Sequence, residues 1–335
     1  MMWNKNQKIF FLVSLGIFIS ASVLYLFVGP YRVGTREVLN GIVSFLTLGK
    51  GETPGARVVL ELRIPRMILA LLAGGSLAVC GSIFQTVLGN PLADPYILGV
   101  SGGAAVGAVL SFMVSRNVSG GVFLPLFAFL GAAISAFAVY ALAGVAGKRS
   151  RGRLILTGVI VAAFMNAIIL LLISVIPPGR IPGALFWLMG DLSNATPGSV
   201  RLLFPLVLVS TCVLLLMARG LDLMLLGDET ALQSGLEVER FKTILFVVVS
   251  FQTGAVVSIS GLIGFVGLII PHVVRKFTGS LHGWVICGSF LLGGAFLIVS
   301  DVIARSVLAA GAMPIGAITA LFGAPFFIYI LRRRI

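Results

Sequence analysis

The chain has 335 residues, of which 59% are hydrophobic and 10% charged, with a mean hydropathy of +1.12. A soluble domain carries roughly a quarter charged residues, so a soluble globular fold is excluded. The apolar runs do not alternate with polar residues as lipid-facing strands do, so a β-barrel is excluded too. The net charge of +13 would point to nucleic acid in a soluble protein. Here much of it flanks apolar runs, which predicts membrane orientation and no nucleic-acid partner. The reading is an all-α polytopic membrane protein, one transmembrane domain over residues 1–335.

Lys5 and Lys8 precede an apolar run over 9–28, the first predicted transmembrane helix. A cleaved signal would have a shorter apolar region of about 7–15 residues. Residues 30–62 form an outer segment, in which Thr35 is expected to cap an amphipathic surface helix over 36–48. Helix two is predicted over 65–88, then Asn90-Pro-Leu-Ala-Asp-Pro95 breaks the chain. Helices three and four follow over 96–114 and 122–146. Lys148, Arg149, Arg151 and Arg153 crowd the next loop and mark it as cytoplasmic. Helix five is predicted over 154–176. Trp187, in the outer segment that follows, is expected as an interface anchor on a short half-buried helix. Helices six to ten are predicted over 201–218, 243–260, 262–277, 284–301 and 315–331. Arg332, Arg333 and Arg334 then place both termini in the cytoplasm.

The stretch over 219–242 is the polar centre of the chain's second half. Its sequence predicts two short helices meeting at Gly227, with Asp228 as a cap and Gly235 just past the end. A solvated loop and a docking surface for a soluble motor remain two readings of it. Gly103 with Gly107, and Ala104 with Ala108, have the spacing by which membrane helices approach closely. At an offset of 180, Gly81 matches Gly261, Ile83 Ile263, Leu88 Leu268, Pro91 Pro271 and Gly99 Gly279. That suggests an inverted repeat of the kind that builds alternating-access transporters.

No P-loop is present, because Gly147-Lys148 is followed by Arg149 and lacks the upstream glycine. No nucleophile–base pair stands out, so no catalytic residues are expected. Cys80, Cys212 and Cys287 lie in apolar runs. His272 and His282 have no acidic or cysteine cluster beside them in sequence, so neither a metal site nor a cofactor is expected. Arg63, Arg66 and Arg305 are predicted on the outer side, against the positive-inside bias. Either they snorkel at the interface or they steer acidic groups of a soluble partner. Arg305 also has Asp301 four residues earlier on one helix face.

The motifs Leu62-Arg-Ile-Pro-Arg66, Asn90-Pro-Leu-Ala93, Leu98-Gly99 and Gly102-Gly-Ala104 resemble the permease subunits of iron-siderophore, haem and cobalamin ABC importers, the FecCD-type family. So do Phe186-Trp-Leu-Met-Gly190, Gly261-Leu-Ile-Gly-Phe-Val-Gly267 with Pro271, His272 and Arg275, and the group Asp301, Arg305, Pro314, Gly316, Gly323 and Pro325. The resemblance runs collinearly over nearly the whole chain. It implies a ten-helix, cobalamin-permease-like subunit of a bacterial cytoplasmic (inner) membrane, working as a homodimer among membrane lipid. It implies two ATP-binding cassette ATPases on the cytoplasmic loop, whose coupling residues would be Leu226, Gly227, Asp228, Glu229, Ala231 and Gly235. A periplasmic or lipid-anchored substrate-binding protein would dock outside on Arg63, Arg66 and Arg305. Ferric siderophores are the expected substrate, with cobalamin or haem as the alternative and a passive channel as the reading from another class. Ser234 and Ala312 depart from the family pattern.

Overall fold

The structure, a computed structural model, describes residues 5–47, 49, 51, 53–115, 123–144, 151–306 and 313–334. Lys148, Arg149 and Ala312 lie outside the described residues. The helices are α1 (Lys5–Phe27), α2 (Thr35–Leu46), α3 (Pro54–Arg57), α4 (Ile64–Val87), α5 (Val100–Val114), α6 (Phe123–Gly144), α7 (Arg151–Val175), α8 (Ile181–Leu188), α9 (Pro197–Leu216), α10 (Ala218–Met224), α11 (Asp228–Gln233), α12 (Val238–Ser260), α13 (Val266–Thr278), α14 (His282–Ser306) and α15 (Ile315–Arg334). Each of the ten predicted membrane helices coincides with one of them: α1, α4, α5, α6, α7, α9, α12, α13, α14 and α15. Among the described residues, seven helical stretches are long and apolar enough to cross a bilayer. Of the other three predicted spans, α5 and α13 are too short for that length, and α15 carries its apolar part over Ile315–Tyr329.

The segment Val58–Arg63 that leads into α4 is π-helical, with the Ile64 N–H reaching back to the Val59 carbonyl. Pro65 explains this locally. It has no N–H to give, so the turn before it relaxes to a wider bonding pattern. Helix α2 begins at Thr35 itself and not after it. Gly34 occupies the cap position, and its N–H donates to Glu37 Oε2 at 3.0 Å.

Helices α4 and α12 form the centre. In α4 the most apolar window is 83% buried, against 11% in α7, so α7 presents nearly its whole girth outward. Close crossings depend on glycine. A Cβ on Gly74 would lie 2.2 Å from the Gly293 carbonyl, and one on Gly293 would lie 2.4 Å from the Gly74 carbonyl. Helices α4 and α14 therefore touch backbone to backbone. Gly103 and Gly131 do the same for α5 and α6, at 2.2 and 2.1 Å, and Gly107 meets the Phe127 carbonyl. Lipid supplies no hydrophobic drive for helix association, so contact area won by small residues has to do it.

The repeat exists in helix order and packing, but not at the fixed offset. Gly81 is interior to α4, whereas Gly261 is the positive-φ residue ending α12. Pro91 lies in a turn, whereas Pro271 lies inside α13. Matching elements gives α4 with α12 (24 and 23 residues), α5 with α13 (15 and 13), α6 with α14 (22 and 25) and α7 with α15 (25 and 20). The packing respects the exchange. Helix α4 packs on α14 as α12 packs on α6, and α4 on α13 as α12 on α5. Helix α5 packs on α6 and α7 as α13 packs on α14 and α15.

Trp187 is not an interface anchor. It is 3% exposed and packs into the main core from α8.

Candidate functional site: a two-helix loop and a buried arginine cluster

The 219–242 stretch folds as its sequence predicts, into α10 and α11 meeting at Gly227. Gly227 has φ +105°, a conformation that a side chain resists, and nothing would obstruct a Cβ there. The glycine therefore serves the backbone corner and not a tight contact. Gly235, at φ +86°, turns the chain out of α11 toward α12. Ala231 is fully buried beneath the corner, while Leu225, Leu226 and Leu232 are 46%, 67% and 63% exposed. Gly220 holds α10 against α12, since a Cβ there would meet the Phe241 ring at 2.4 Å.

Asp228 does not cap α11. It is the first helical residue, after Gly227, and its carboxylate accepts from Lys242 Nζ at 2.6 Å, tying α11 to α12. Together with Glu229, its charge still suits the positive end of the helix. Asp228, Glu229, Leu232, Glu237, Val238, Glu239 and Arg240 line a groove of about 450 Å³. Five of the chain's eleven acidic residues, Asp222, Asp228, Glu229, Glu237 and Glu239, fall in this stretch. The exposed surface is thus three leucines beside a carboxylate-rich groove, on a protein that is otherwise strongly basic.

Arg63, Arg66 and Arg305 are brought together, but as an interior cluster and not an open patch. Arg66 binds Asp301 through two bonds, Nε to Oδ2 at 2.9 Å and Nη2 to Oδ1 at 2.7 Å. The Tyr25 hydroxyl donates to the same Oδ2 at 2.7 Å. Arg305 Nε lies 3.4 Å from that oxygen, and its guanidinium stands 4.0 Å from the centre of the Tyr25 ring. Arg63 donates to the carbonyls of Leu26 and Tyr31. Asp301 is fully buried, and the side chains of Arg66 and Arg305 are 17% and 8% exposed. The cluster thus pins α1, α4 and α14 together at one end. Three guanidiniums against one carboxylate leave it a surplus of positive charge, with Arg305 Nη2 making no hydrogen bond among the described residues.

Reasoning from sequence missed a second polar assembly, at the other end of α4. His282 does have a carboxylate beside it, supplied by Asp222 from sixty residues away. Asp222 Oδ1 accepts from the His282 backbone N–H at 2.7 Å and lies 2.8 Å from its Nδ1; His282 Nε2 lies 2.8 Å from Thr86 Oγ1. Arg275 grips the same turns of α4, donating to Gln85 Oε1 and, at 3.0 Å, to the Ser82 carbonyl. Gln85 Nε2 donates to the Gly267 carbonyl at 3.0 Å. No local spacing announces these partners. The only sequence signal was a set of polar residues at the ends of apolar runs.

Residues 16–333 match the model of the FecCD transport family. A cobalamin import system permease protein, BtuC, of Halobacterium salinarum is 44% identical over 291 residues, covering 86% of this chain and 77% of the relative. The hemin transport system permease HmuU of Yersinia pestis is 35% identical over 302 residues, covering 87% and 89%. The Fe(3+) dicitrate transport system permease FecC of Escherichia coli is also 35% identical, covering 88% and 90%. A solved structure of a metal-chelate type ABC transporter in an inward-facing conformation superposes with a TM-score of 0.83 at 26% identity, covering 97% of this chain and 99% of that one. With the family model spanning nearly all its length and the helix bundle superposing end to end, the chain belongs to the FecCD transport family, as a multi-pass permease subunit of an ABC importer that is not itself the ATPase.

Proposed function

We propose that this chain forms a homodimeric pathway for cobalamin, drawing energy from two ATPase subunits on the 219–242 loop and receiving cargo from a soluble or lipid-anchored binding protein at the arginine-cluster end. The whole chain acts as one permease domain, with the loop and both termini on the cytoplasmic side. The observation that carries the substrate is the 44% identity to a cobalamin permease, against 35% to the hemin and ferric dicitrate permeases. Those two relatives support the second reading, a ferric siderophore or haem. The loop supports ATPase docking through its exposed Leu226 and Leu232 beside Glu229. The apolar leucines supply contact area, and the carboxylates orient a basic partner surface.

The test is uptake into proteoliposomes holding this chain, its ATPase and its binding protein. Cyanocobalamin, haemin and ferric dicitrate are offered in parallel, with and without ATP. ATP-dependent uptake of cyanocobalamin alone is the expected result. Uptake of one of the iron compounds instead moves the assignment to the second reading. Uptake that needs neither ATP nor ATPase makes the chain a passive channel and overturns the proposal.

A further inference from the structure

The docking loop is fastened to the membrane helices at two places. Asp228–Lys242 joins α11 to α12. Asp222 joins α10 to α14 and, through His282, to α4. The second fastening has a defined proton arrangement. A carboxylate only accepts, so Nδ1 of a neutral His282 carries the hydrogen toward Asp222. Nε2 of the neutral ring then accepts from the Thr86 hydroxyl, which also lies 3.2 Å from the Ser82 carbonyl of its own helix. Asp222 Oδ1 also takes the backbone N–H of His282, one of the unpaired donors at the start of α14, so the loop caps this helix from outside its own sequence. His282 is fully buried and Thr86 is 8% exposed, so the His282–Thr86 bond is shielded from competing water.

The helices at the far side of this fastening already form one body. Arg66–Asp301 locks α4 to α14 at one end, and Gly74 and Gly293 bring their backbones into contact between the ends. Thr86–His282 locks them at the other end. Arg66 and Thr86 are twenty residues apart on α4, about 30 Å along its axis. A displacement of α10 would therefore reach α4 and α14 together.

We propose that Asp222, His282 and Thr86 form the joint through which movement of the docking loop is transmitted to the α4–α14 pair. The three are positioning residues, each acting through its bonds to the others. The proposal rests on the importer reading above.

The test uses the complete reconstituted complex with cyanocobalamin, haemin and ferric dicitrate as probes, and reads cargo taken up per ATP hydrolysed. Asp222→Ala removes both bonds to His282. It is expected to lower that ratio at least tenfold while ATP hydrolysis continues. Asp222→Asn keeps Oδ1 as an acceptor for the His282 N–H and is expected to recover at least half of the ratio. Thr86→Val has the same shape without the hydroxyl, and is expected to lower the ratio while leaving the amount of assembled complex unchanged. Combining it with Asp222→Ala is expected to add little, because both interrupt one chain.

A merely structural role predicts something else, namely less assembled complex and a ratio equal to wild type in whatever survives. That outcome overturns the joint. Should Asp222→Ala fail to assemble, Thr86→Val decides alone, and an unchanged ratio there overturns it. Wild-type complex that shows no ATP-driven uptake of any probe overturns the importer reading, and the joint with it. A transporting wild type with unaffected variants overturns the joint only.

Discussion

Asp301 serves Arg66, Tyr25 and Arg305 at once, and its burial makes each partner expensive to lose. Removing one member of a buried ion pair costs about 3–5 kcal/mol, whereas an exposed pair is worth about 0–1 kcal/mol. Arg66→Ala is therefore expected to destabilise the purified protein by about 3–5 kcal/mol, read as a fall in unfolding midpoint in detergent. Arg240→Ala, which loses only a pair whose side chains are 77% and 75% exposed, is expected to leave the midpoint in place. The same contrast shapes mutagenesis of the loop over 219–242. Asp228 is tied to Lys242, so reversing its charge also loosens α11 from α12. Glu229→Arg is the cleaner probe, because Glu229 is exposed. It is expected to weaken ATPase association and lower uptake several-fold without changing the unfolding midpoint, with co-purification of the ATPase as the measurement. Asp94, in the turn between α4 and α5, gives a pH signature. Its Oδ1 accepts the Tyr96 N–H at 2.9 Å, yet burial raises its carboxyl to about 6. An acid whose folded pKa is raised binds more protons folded than unfolded, so stability falls as pH rises between about 4 and 6. Asp94→Asn keeps the cap and is expected to flatten that part of the stability profile.

At the scale of the helix, the glycine crossings carry the prediction. Gly74→Ala and Gly103→Ala would drive a methyl into a backbone carbonyl that cannot move away alone. Overpacking of this kind costs about 1–3 kcal/mol. Gly16→Ala, with nothing within 4 Å, is expected to be neutral or mildly stabilising by comparison. Unfolding midpoints of the three variants measure the difference. These crossings also show what was legible in the sequence. The spacing of Gly103 and Gly107 named a packing face correctly, because small residues four apart share one side of a helix. It did not name α6 as the partner, since nothing in α5 specifies the helix it meets. The apolar runs located ten helices for a similar reason, as length and composition are local properties. Trp187 went astray because an indole reads alike at a membrane interface and in a core. The Asp222–His282–Thr86 chain stayed hidden because its members are united only by packing. The repeat was found at the wrong register because scattered glycines matched more readily than helix order.

For the molecule as a whole, charge is distributed against the general trend. The chain is strongly basic, yet the loop proposed to meet the ATPase gathers five of its eleven acids. The opposite end holds three arginines around one carboxylate. With those guanidiniums mostly buried, the binding protein proposed to dock there would be drawn by their summed field more than by direct bonds, and such a field is screened over about 8–10 Å at physiological salt. Binding-protein affinity is therefore expected to fall as salt rises from 50 to 500 mM, measured by titration onto nanodisc-held permease. An affinity indifferent to salt in the unchanged protein would remove the cluster from the docking surface.

The Arg66–Asp301 bond also sets a condition on how the protein is made. Its two ends are 235 residues apart. At a synthesis rate of about 5–20 residues per second, Arg66 waits roughly ten to fifty seconds for its carboxylate to leave the ribosome. Throughout that interval Arg66 lacks the counter-ion that it has in the folded protein. A nascent chain that stalls before α14 keeps this unmatched charge, and Tyr25 with it keeps an unanswered hydroxyl. Completion of α14 thus supplies the carboxylate that both groups share, and a chain truncated before Asp301 is expected to unfold in detergent at a lower midpoint than the full chain.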